Sequence, residues 1–573
     1  MAVIGIDLGT TNSLVAYWKD GKACLIPDEL GNVLFPSVVS FMEENKVSVG
    51  SVAKEQLVLQ PDRTFASFKR YMGTDKSYSA GGKSYKALEL SAFVLSELKA
   101  VAEKYLNEAI EEAIITVPAY FNDKQRSDTK KAAQIAGLKV ERLINEPSAA
   151  ALAYQMANGQ NENNLIVFDF GGGTLDLSYV ECFDNVIEIV AVAGDNMLGG
   201  DDVDACIYDY VCKEKQLKKD TISIEQRAVL CKEVEKNKRL LQEVDSITIQ
   251  GIVLTNEKLF EICIPLFTRI KKLFLRLLED AGVRISEIDD VIMVGGSSKL
   301  KVVKQFLTEL LGKEPIVLGD TDMVVAMGAG SYAGIRMREE GIKNIIMTDV
   351  CPFTLGVESF RSKEDEKGYM CSLIERNSTL PSKITRRLWT LHDFQKQLRV
   401  KIYQGEEYYA EENLLLGEIS IAVPQKPAGQ EWIDVEFIYD INGILQVEVT
   451  NSRGESRHIM LANQELTESE LERYQTEMET IIRMKSPWEN SEYVELFNIV
   501  AGYYEESVGN RRDYLGNILN WYLYNMNSGS LKTIRDTAQE MKRILTSLDQ
   551  YEEEKENLFF DGHDIEPERG TPC

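Results

Sequence analysis

Ile166-Val167-Phe168-Asp169-Phe170-Gly171-Gly172-Gly173-Thr174-Leu175-Asp176 is an apolar run that ends in an Asp, passes three glycines and a Thr, and resumes with alternating apolar and polar residues. The pattern reads as strand, tight turn, strand. Three glycines let backbone N–H groups approach an anion with no Cβ in the way. Asp169 and Asp176 stand where a cation could neutralise that anion, and Thr174 adds a hydroxyl. One such turn alone is more often a plain hairpin. Here the plan occurs twice. Val3-Ile4-Gly5-Ile6-Asp7-Leu8-Gly9-Thr10-Thr11-Asn12 again sets an apolar strand, an Asp, a Gly and hydroxyl residues ahead of the apolar run Leu14 to Tyr17. Two such turns facing each other could hold a polyphosphate between two lobes.

A chain of 573 residues should hold several core-bearing units. Its net charge of −27 leaves little surplus cation to displace phosphate counterions, which disfavours nucleic acid as a main partner. No apolar run reaches membrane-spanning length. Asp7 interrupts what would be the apolar part of a signal peptide, and no basic region precedes it, so none is expected. The nine cysteines form no C-x-x-C pair, and with only three histidines a zinc site is not expected. The cysteines read as buried reduced thiols of a cytoplasmic protein.

Leu34 to Phe41 reads as a strand broken by Pro36, and Leu90 to Leu106 as an amphipathic helix. Lys69 by itself reads as solvated surface. Ala113 to Pro118 is a buried strand, Asp123 to Ala136 a helix closed by Gly137, and Ser148 to Tyr154 an Ala-rich helix. This alternation predicts an α/β fold with largely parallel sheet. Glu188 to Ala193 is a further strand. A charged helix from about Glu225 to Leu241 carries Glu235, Lys238 and Arg239, which alone would be ordinary surface pairing. Asp290 to Ser298 is a strand with a turn at Gly295 and Gly296, opening a helix at about Lys299 that could bind an anion or a nucleotide edge. The absence of G-x-x-x-x-G-K-[ST] excludes a P-loop NTPase. His392, His458 and His563 lie too far along the chain from the glycine turns to suggest base catalysis, and read as structural.

Near residue 341 the composition shifts. After the connector Gly341 to Asp349, short alternating strands at Leu388 to Tyr403, Leu414 to Val423, Trp432 to Tyr439 and Ile444 to Thr450 predict a compact β-sandwich, with Asn442-Gly443 as a hairpin turn. Thr467 to Glu470 is a capping box for a helix whose apolar face is Leu471, Tyr474, Met478 and Ile481, stopped by Pro487. Further helices run through Trp521 and from Leu531 to about Leu548, and a solvated acidic end, including Glu552 to Glu556, follows Tyr551.

These motifs resemble the heat-shock protein 70 (DnaK-type) chaperones over nearly the whole chain, closest to the HscC-type bacterial branch. The matching stretches are Ile4 to Ser13, Val117 to Asn122, Asn145-Glu146-Pro147, Asp169 to Asp176 and Val294 to Ser297. The resemblance implies a multidomain protein: a two-lobed actin-like α/β ATPase domain over residues 1–341, an interdomain linker over 342–350, a β-sandwich peptide-binding domain over 351–464, an α-helical lid over 465–552 and a tail over 553–573. It implies ATP or ADP with magnesium, and admits potassium. Gly9, Thr10, Thr11, Asn12, Gly171, Gly172, Gly173 and Thr174 would hold phosphates, and Asp7 and Asp169 the magnesium. Lys69, Glu146 and Asp176 would position and polarise the attacking water. Glu235, Lys238, Arg239, Gly295, Gly296, Ser297, Lys299 and Asp322 would surround the nucleoside. Phosphoryl transfer needs positioning and charge neutralisation more than covalent help, so this set is chemically coherent.

By the same resemblance Val357, Leu388, Leu398, Val400 and Ile444 form an apolar peptide pocket under an arch of Phe360 and Leu391, although from sequence alone sandwich core is the better reading of each residue singly. Pro118 and Arg126 relay between lobes. Arg142, Asn145 and Asp349 match positions through which a J-domain co-chaperone acts. Three departures stand out. Lys299 replaces an Arg that stacks on adenine, losing the planar stack. Thr348 replaces a linker leucine, at roughly 1.5–3 kcal/mol of transfer energy, which would weaken linker docking. The segment Glu243 to Glu257 is shorter than in DnaK, which argues against the usual bacterial exchange factor. The expected function is an ATP-driven chaperone of extended apolar peptides. The alternatives are a nucleotide-sensing regulatory binding protein with negligible turnover, and a small-molecule kinase on the same ATPase fold.

Overall fold

The computed structural model describes residues 2–29, 31–42, 46–158, 162–183, 185–217, 222–360, 362, 365–441, 443–461, 466–480, 482–483, 491–506, 510–526 and 536–548. These fall into two units. The first takes in the chain up to Met42 and Val49–Met478; the second takes in Glu43–Ser48 and the chain from Glu479 onward.

In the first unit the early strands are β1 (Val3–Asp7), β2 (Asn12–Lys19), β3 (Lys22–Leu25), β4 (Phe35–Pro36), β5 (Glu112–Val117) and β6 (Leu143–Asn145). They form a sheet in the order β6-β5-β1-β2-β3, with β4 paired to β2. A second sheet contains β7 (Asn163–Phe170), β8 (Leu175–Phe183), β9 (Val186–Asp195), β10 (Asp290–Val294), β11 (Ile316–Val317) and β12 (Ile346–Thr348), ordered β11-β10-β7-β8-β9-β12. The two sheets share one plan: an antiparallel three-strand meander opened by a glycine turn, then parallel strands added on the other side of the first strand. The expectation of a largely parallel sheet is therefore corrected to mixed sheets. The turns that suggested phosphate binding are themselves hairpins. Asp169 faces Asp176 and Phe170 faces Leu175 across the 171–174 turn, and that connection forces antiparallel pairing.

Helices cover these sheets. Val324–Arg336 lies on the first sheet and Glu146–Asn158 on the second, and the two helices cross each other. At the crossing no side chains separate the backbones. A Cβ added at Gly328 would sit 1.9 Å from the Ala149 carbonyl oxygen; where Val324–Arg336 lies on β1, one at Gly5 would sit 2.3 Å from the Ala329 carbonyl carbon. Only glycine permits that approach. The connector adds β12 to the second sheet, parallel to β9, with Glu188 opposite Thr348.

Beyond it lie β13 (Leu355–Ser359), β14 (Tyr369–Ile374), β15 (Ser382–Trp389), β16 (Gln397–Gln404), β17 (Leu414–Ala422), β18 (Trp432–Tyr439), β19 (Leu445–Asn451) and β20 (Ser456–Met460). They form two antiparallel four-stranded sheets, β14-β13-β16-β17 and β15-β18-β19-β20, around one apolar core. The single strand expected from Leu388 to Tyr403 is two. Residues 390–396 turn back against the 424–430 loop, with the Thr390 N–H on the Glu431 carbonyl, the Phe394 N–H on the Lys426 carbonyl, and Phe394 itself left-handed at φ 56°.

The Thr467 capping box is reciprocal: the Thr467 N–H donates to Glu470 Oε2 at 3.0 Å and the Glu470 N–H to Thr467 Oγ1 at 3.3 Å, opening the helix Glu468–Thr480. In the second unit Ile482–Arg483 pairs in parallel with Lys46–Val47. Helices Ser491–Glu506, Asn510–Met526 and 536–548 follow, with Phe497, Leu515 and Tyr522 buried. Asn442, Ile481, Pro487, Leu531 and everything from residue 549 lie outside the described residues. Among those described, no helix is long and apolar enough to cross a membrane.

Candidate active site

The two glycine turns meet. A Cβ at Gly172 would lie 1.9 Å from Thr11 Oγ1, so the second turn presses on the first with nothing between them. Around this meeting lies a cleft of about 340 Å³. Its floor is Asp7, Gly9, Thr10, Thr11, Asn12, Lys69, Glu146, Asp169, Gly171, Gly172 and Thr174. Glu235, Lys238, Arg239, Gly295, Gly296, Ser297, Lys299 and Asp322 continue the lining. The cleft thus gathers residues from both sheets and from helices far apart along the chain. Gly173 does not line it and instead backs onto Arg70, whose Cγ is 2.8 Å from the position a Cβ would take. Asp176 also stands behind the wall, 1% exposed.

Lys69 is not a surface lysine. Its Nζ donates to Glu146 Oε1 at 2.7 Å, and both side chains are under a tenth exposed. Asp7 Oδ1 accepts from Thr116 Oγ1 at 2.9 Å, and Asp176 Oδ1 from the Tyr120 N–H at 3.0 Å. Asp176 Oδ2 is buried with no hydrogen-bond partner. Four carboxylates, Asp7, Glu146, Asp169 and Asp176, therefore share one ammonium. The electrostatics follow. Burial and the Glu146 charge push Asp7 and Asp176 up to about 7, against the pull of Lys69. Burial, Glu146 and Asp176 push Asp169 well above the usual carboxylate range. Burial works against the Lys69 charge, but Glu146 and Asp7 outweigh it and raise its pKa.

Such a surplus of buried negative charge fits a cation with its own solvent and phosphate ligands. Among the described residues no three His, Cys, Asp or Glu side chains converge to chelate an ion directly. Magnesium is commonly held in that indirect way, by one or two carboxylates, waters and substrate phosphates.

At the other end of the cleft Lys299 is drawn onto Asp320 (2.6 Å) and Asp322 (2.5 Å). Arg239 and Lys54 both reach Glu235, at 2.6 and 3.4 Å. Lys238 Nζ donates to the Gly200 carbonyl at 3.0 Å and to Asp204 at 2.6 Å. The sequence reading missed Lys54, Arg70, Thr116, Asp201, Asp204, Gln242 and Thr321. Only Asp201, as an acid at a helix start just after Gly199-Gly200, carried a usable signal.

The residues expected to couple the lobes lie behind Glu146 rather than in the cleft. Arg126 donates to the carbonyls of Phe121 and Ala119 and, at 2.7 Å, to Asn145 Oδ1. Asn145 Nδ2 and Ser148 Oγ both donate to Asp349 Oδ1, at 3.0 and 2.7 Å. Pro118 ends β5 and accepts from the Phe121 N–H. Arg142 bonds the Tyr332 hydroxyl and stacks on its ring. The sandwich meets the two-sheet portion through an Arg376 fork on Asp280 (3.0 and 2.6 Å), through Asn377, and through the buried Asp123, which accepts from the Tyr439 hydroxyl at 3.0 Å.

In the sandwich, Val357 and Val400 are in the core, so their plain structural reading applies in this conformation. Leu388 and Leu398 pack at its margin, Leu391 and Ile444 are half-buried, and Phe360 is exposed.

The family model described as Hsp70 protein matches residues 3–80 and 76–558. A protein named chaperone protein DnaK from Thermosipho melanesiensis is 39% identical over 466 residues, which cover 78% of this chain and 77% of that protein.

Proposed function

The chain belongs to the Hsp70 family and is an ATP-dependent chaperone with ATPase activity; from that premise we propose how its own residues divide the work. The observation that carries the reading is the meeting of the two glycine turns beside the buried Lys69–Glu146 pair. Residues 9–12 and 171–174 present backbone N–H groups and hydroxyls to the phosphates. Asp7 and Asp169 would hold magnesium, which would supply charge neutralisation on the phosphates. Lys69 and Glu146 orient the attacking water toward the γ-phosphorus. Asp176, buried behind the lining, acts on that water through the charge it places beside Lys69 and Glu146. Water adds to phosphorus as the bond to the β–γ bridging oxygen breaks, leaving ADP and inorganic phosphate.

The division of the chain in this reading is 1–341, 342–350, 351–464 and 465–552, with a tail over 553–573. The sandwich takes an extended apolar peptide at Val357, Leu388, Leu398, Val400 and Ile444 beneath Phe360 and Leu391, once the pocket opens. ATP favours the arrangement in which β12, Asp349, Arg376 and Tyr439 engage the ATPase portion, and hydrolysis releases it. Arg142, Asn145 and Asp349 are where a J-domain co-chaperone acts. Free thiols at the described cysteines suit a cytoplasmic setting. Coupling of this kind is reciprocal: if ATP weakens peptide binding, peptide weakens ATP binding equally.

The test is the dissociation rate of a fluorescent apolar peptide with ADP and then with ATP. Faster release in ATP is expected. Equal rates with ATP demonstrably bound would sink the coupled reading and leave a nucleotide-sensing binding protein.

A further inference from the structure

Arg70 follows Lys69 in the short 3-10 turn Phe68–Tyr71, which packs on the first lobe. Its side chain is nine-tenths buried and points away from that lobe. Nη2 reaches Asp202 Oδ2 at 2.9 Å and Nη1 lies 3.7 Å from Asp201 Oδ2, both at the start of the helix Gly200–Glu214 in the second lobe. That helix start is fastened to the second glycine turn. The Gly200 N–H donates to the Gly171 carbonyl at 3.0 Å, and the Asp201 N–H to the Gly172 carbonyl at 2.8 Å. Asp202 also accepts from the Gly199 N–H, capping the helix. The Arg70 stem packs against Gly173, and its Nε is buried with no hydrogen-bond partner. Burial raises the Asp201 carboxyl, while Arg70 is one of the cations drawing it back down.

We propose that Arg70 is a positioning residue for hydrolysis, a clasp from the turn that carries Lys69 to the acidic helix start that carries the second phosphate turn. The two halves of the catalytic floor come from different lobes, and Arg70 is an ion pair that fixes their separation directly. This rests on the ATPase reading above. Misplacement of reacting groups by about 1 Å can cost ~10²-fold in rate.

The experiment compares full-length wild type, Arg70→Ala, Arg70→Lys, Asp202→Asn and the Ala/Asn double variant by single-turnover ATP hydrolysis and by displacement of a fluorescent ADP. Arg70→Ala is expected to slow hydrolysis between about 10- and 100-fold, with ADP affinity within about threefold of wild type. Asp202→Asn keeps a capping oxygen and loses the charge, so it tests the clasp even if Arg70→Ala folds poorly. The double variant should be no slower than the worse single one, because both break the same link. Arg70→Lys, which keeps charge without the fork, should recover part of the rate. Unchanged hydrolysis in Arg70→Ala, weakened ADP binding at unchanged rate, or fully multiplicative effects of the two substitutions would each overturn the proposal. A wild type without hydrolysis would overturn both this proposal and the ATPase reading; wild-type turnover with an unimpaired Arg70→Ala overturns this one alone.

Discussion

Thr348→Val should tighten the docking of β12. Thr348 is the last residue of the strand that the connector lends to the second sheet, opposite Glu188 on β9. Its hydroxyl oxygen is buried with no hydrogen-bond partner. When the strand is released, that hydroxyl recovers water; when it docks, the hydroxyl forfeits it. Valine keeps the branched shape and removes the unsatisfied group. Burying a hydroxyl without compensation costs about 1–3 kcal/mol on protein scales, so the docking equilibrium should shift by roughly 5- to 150-fold. Amide hydrogen exchange across residues 346–348, read by mass spectrometry with ATP present, measures it. Protection should rise in the variant, and ATP-stimulated peptide release should quicken or need less ATP. If exchange at 346–348 is unchanged or faster in Thr348→Val, the hydroxyl is not the weak point of this strand and the reasoning is refuted.

Three further outcomes follow from the same geometry. Lys69→Ala should lower hydrolysis by about 100-fold or more, since it removes the one cation among four buried carboxylates; single-turnover kinetics decide it, and wild-type rates would contradict the assignment. Binding of magnesium nucleotide at pH 6.5 should release about one proton or more, seen as a binding enthalpy that depends on the buffer. Asp7 and Asp176 are raised to about 7, so the nucleotide-free fold holds protons that the unfolded chain has already lost. That contribution to stability is complete below the unfolded carboxylate range and disappears as pH rises through 7; a heat independent of buffer would count against the cluster. Tyr439→Phe should cost about 1–3 kcal/mol by leaving buried Asp123 without its hydroxyl donor. Burial raises Asp123 to about 6, so urea midpoints should show a smaller penalty at pH 5 than at pH 8, and an equal penalty would argue that Asp123 is not ionised there.

Much of this was legible because the chemistry is local in sequence. Each glycine turn carries its strand, its Asp and its hydroxyls within about ten residues, and the sandwich strands announce themselves by alternation. What was not legible depends on partners far along the chain. Lys69 looks like any surface lysine until Glu146, 77 residues away, closes on it. Arg70 and Asp202 are 132 residues apart, and nothing in either segment names the other. Asp176 reads as a cleft residue by its place in the motif, but it lies deeper than the lining, 1% exposed and held by the Tyr120 N–H. The parallel-sheet expectation failed because helices between strands suggest crossovers, whereas the two meanders are built before any crossover begins. The Leu388–Tyr403 run failed because the fold-back at 390–396 is set by backbone bonds to a loop more than 30 residues on.

The crossing of Val324–Arg336 over Glu146–Asn158 has a mechanical meaning. Where helices meet through layers of side chains, they can slide by small rotamer changes. Here the Gly328 backbone touches the Ala149 carbonyl, so there is no soft layer to shear. Relative movement of the two halves has to pivot about this point instead of passing through it. Residues on the pivot move least and those at the far rim, such as Lys54 and Glu235, move most, so a small change in tilt becomes a large change in the width of the mouth. The same helix begins at Glu146 and follows directly on Asn145, so a tug on Asp349 is applied close to the fulcrum, with Lys69's partner as the first residue to feel it.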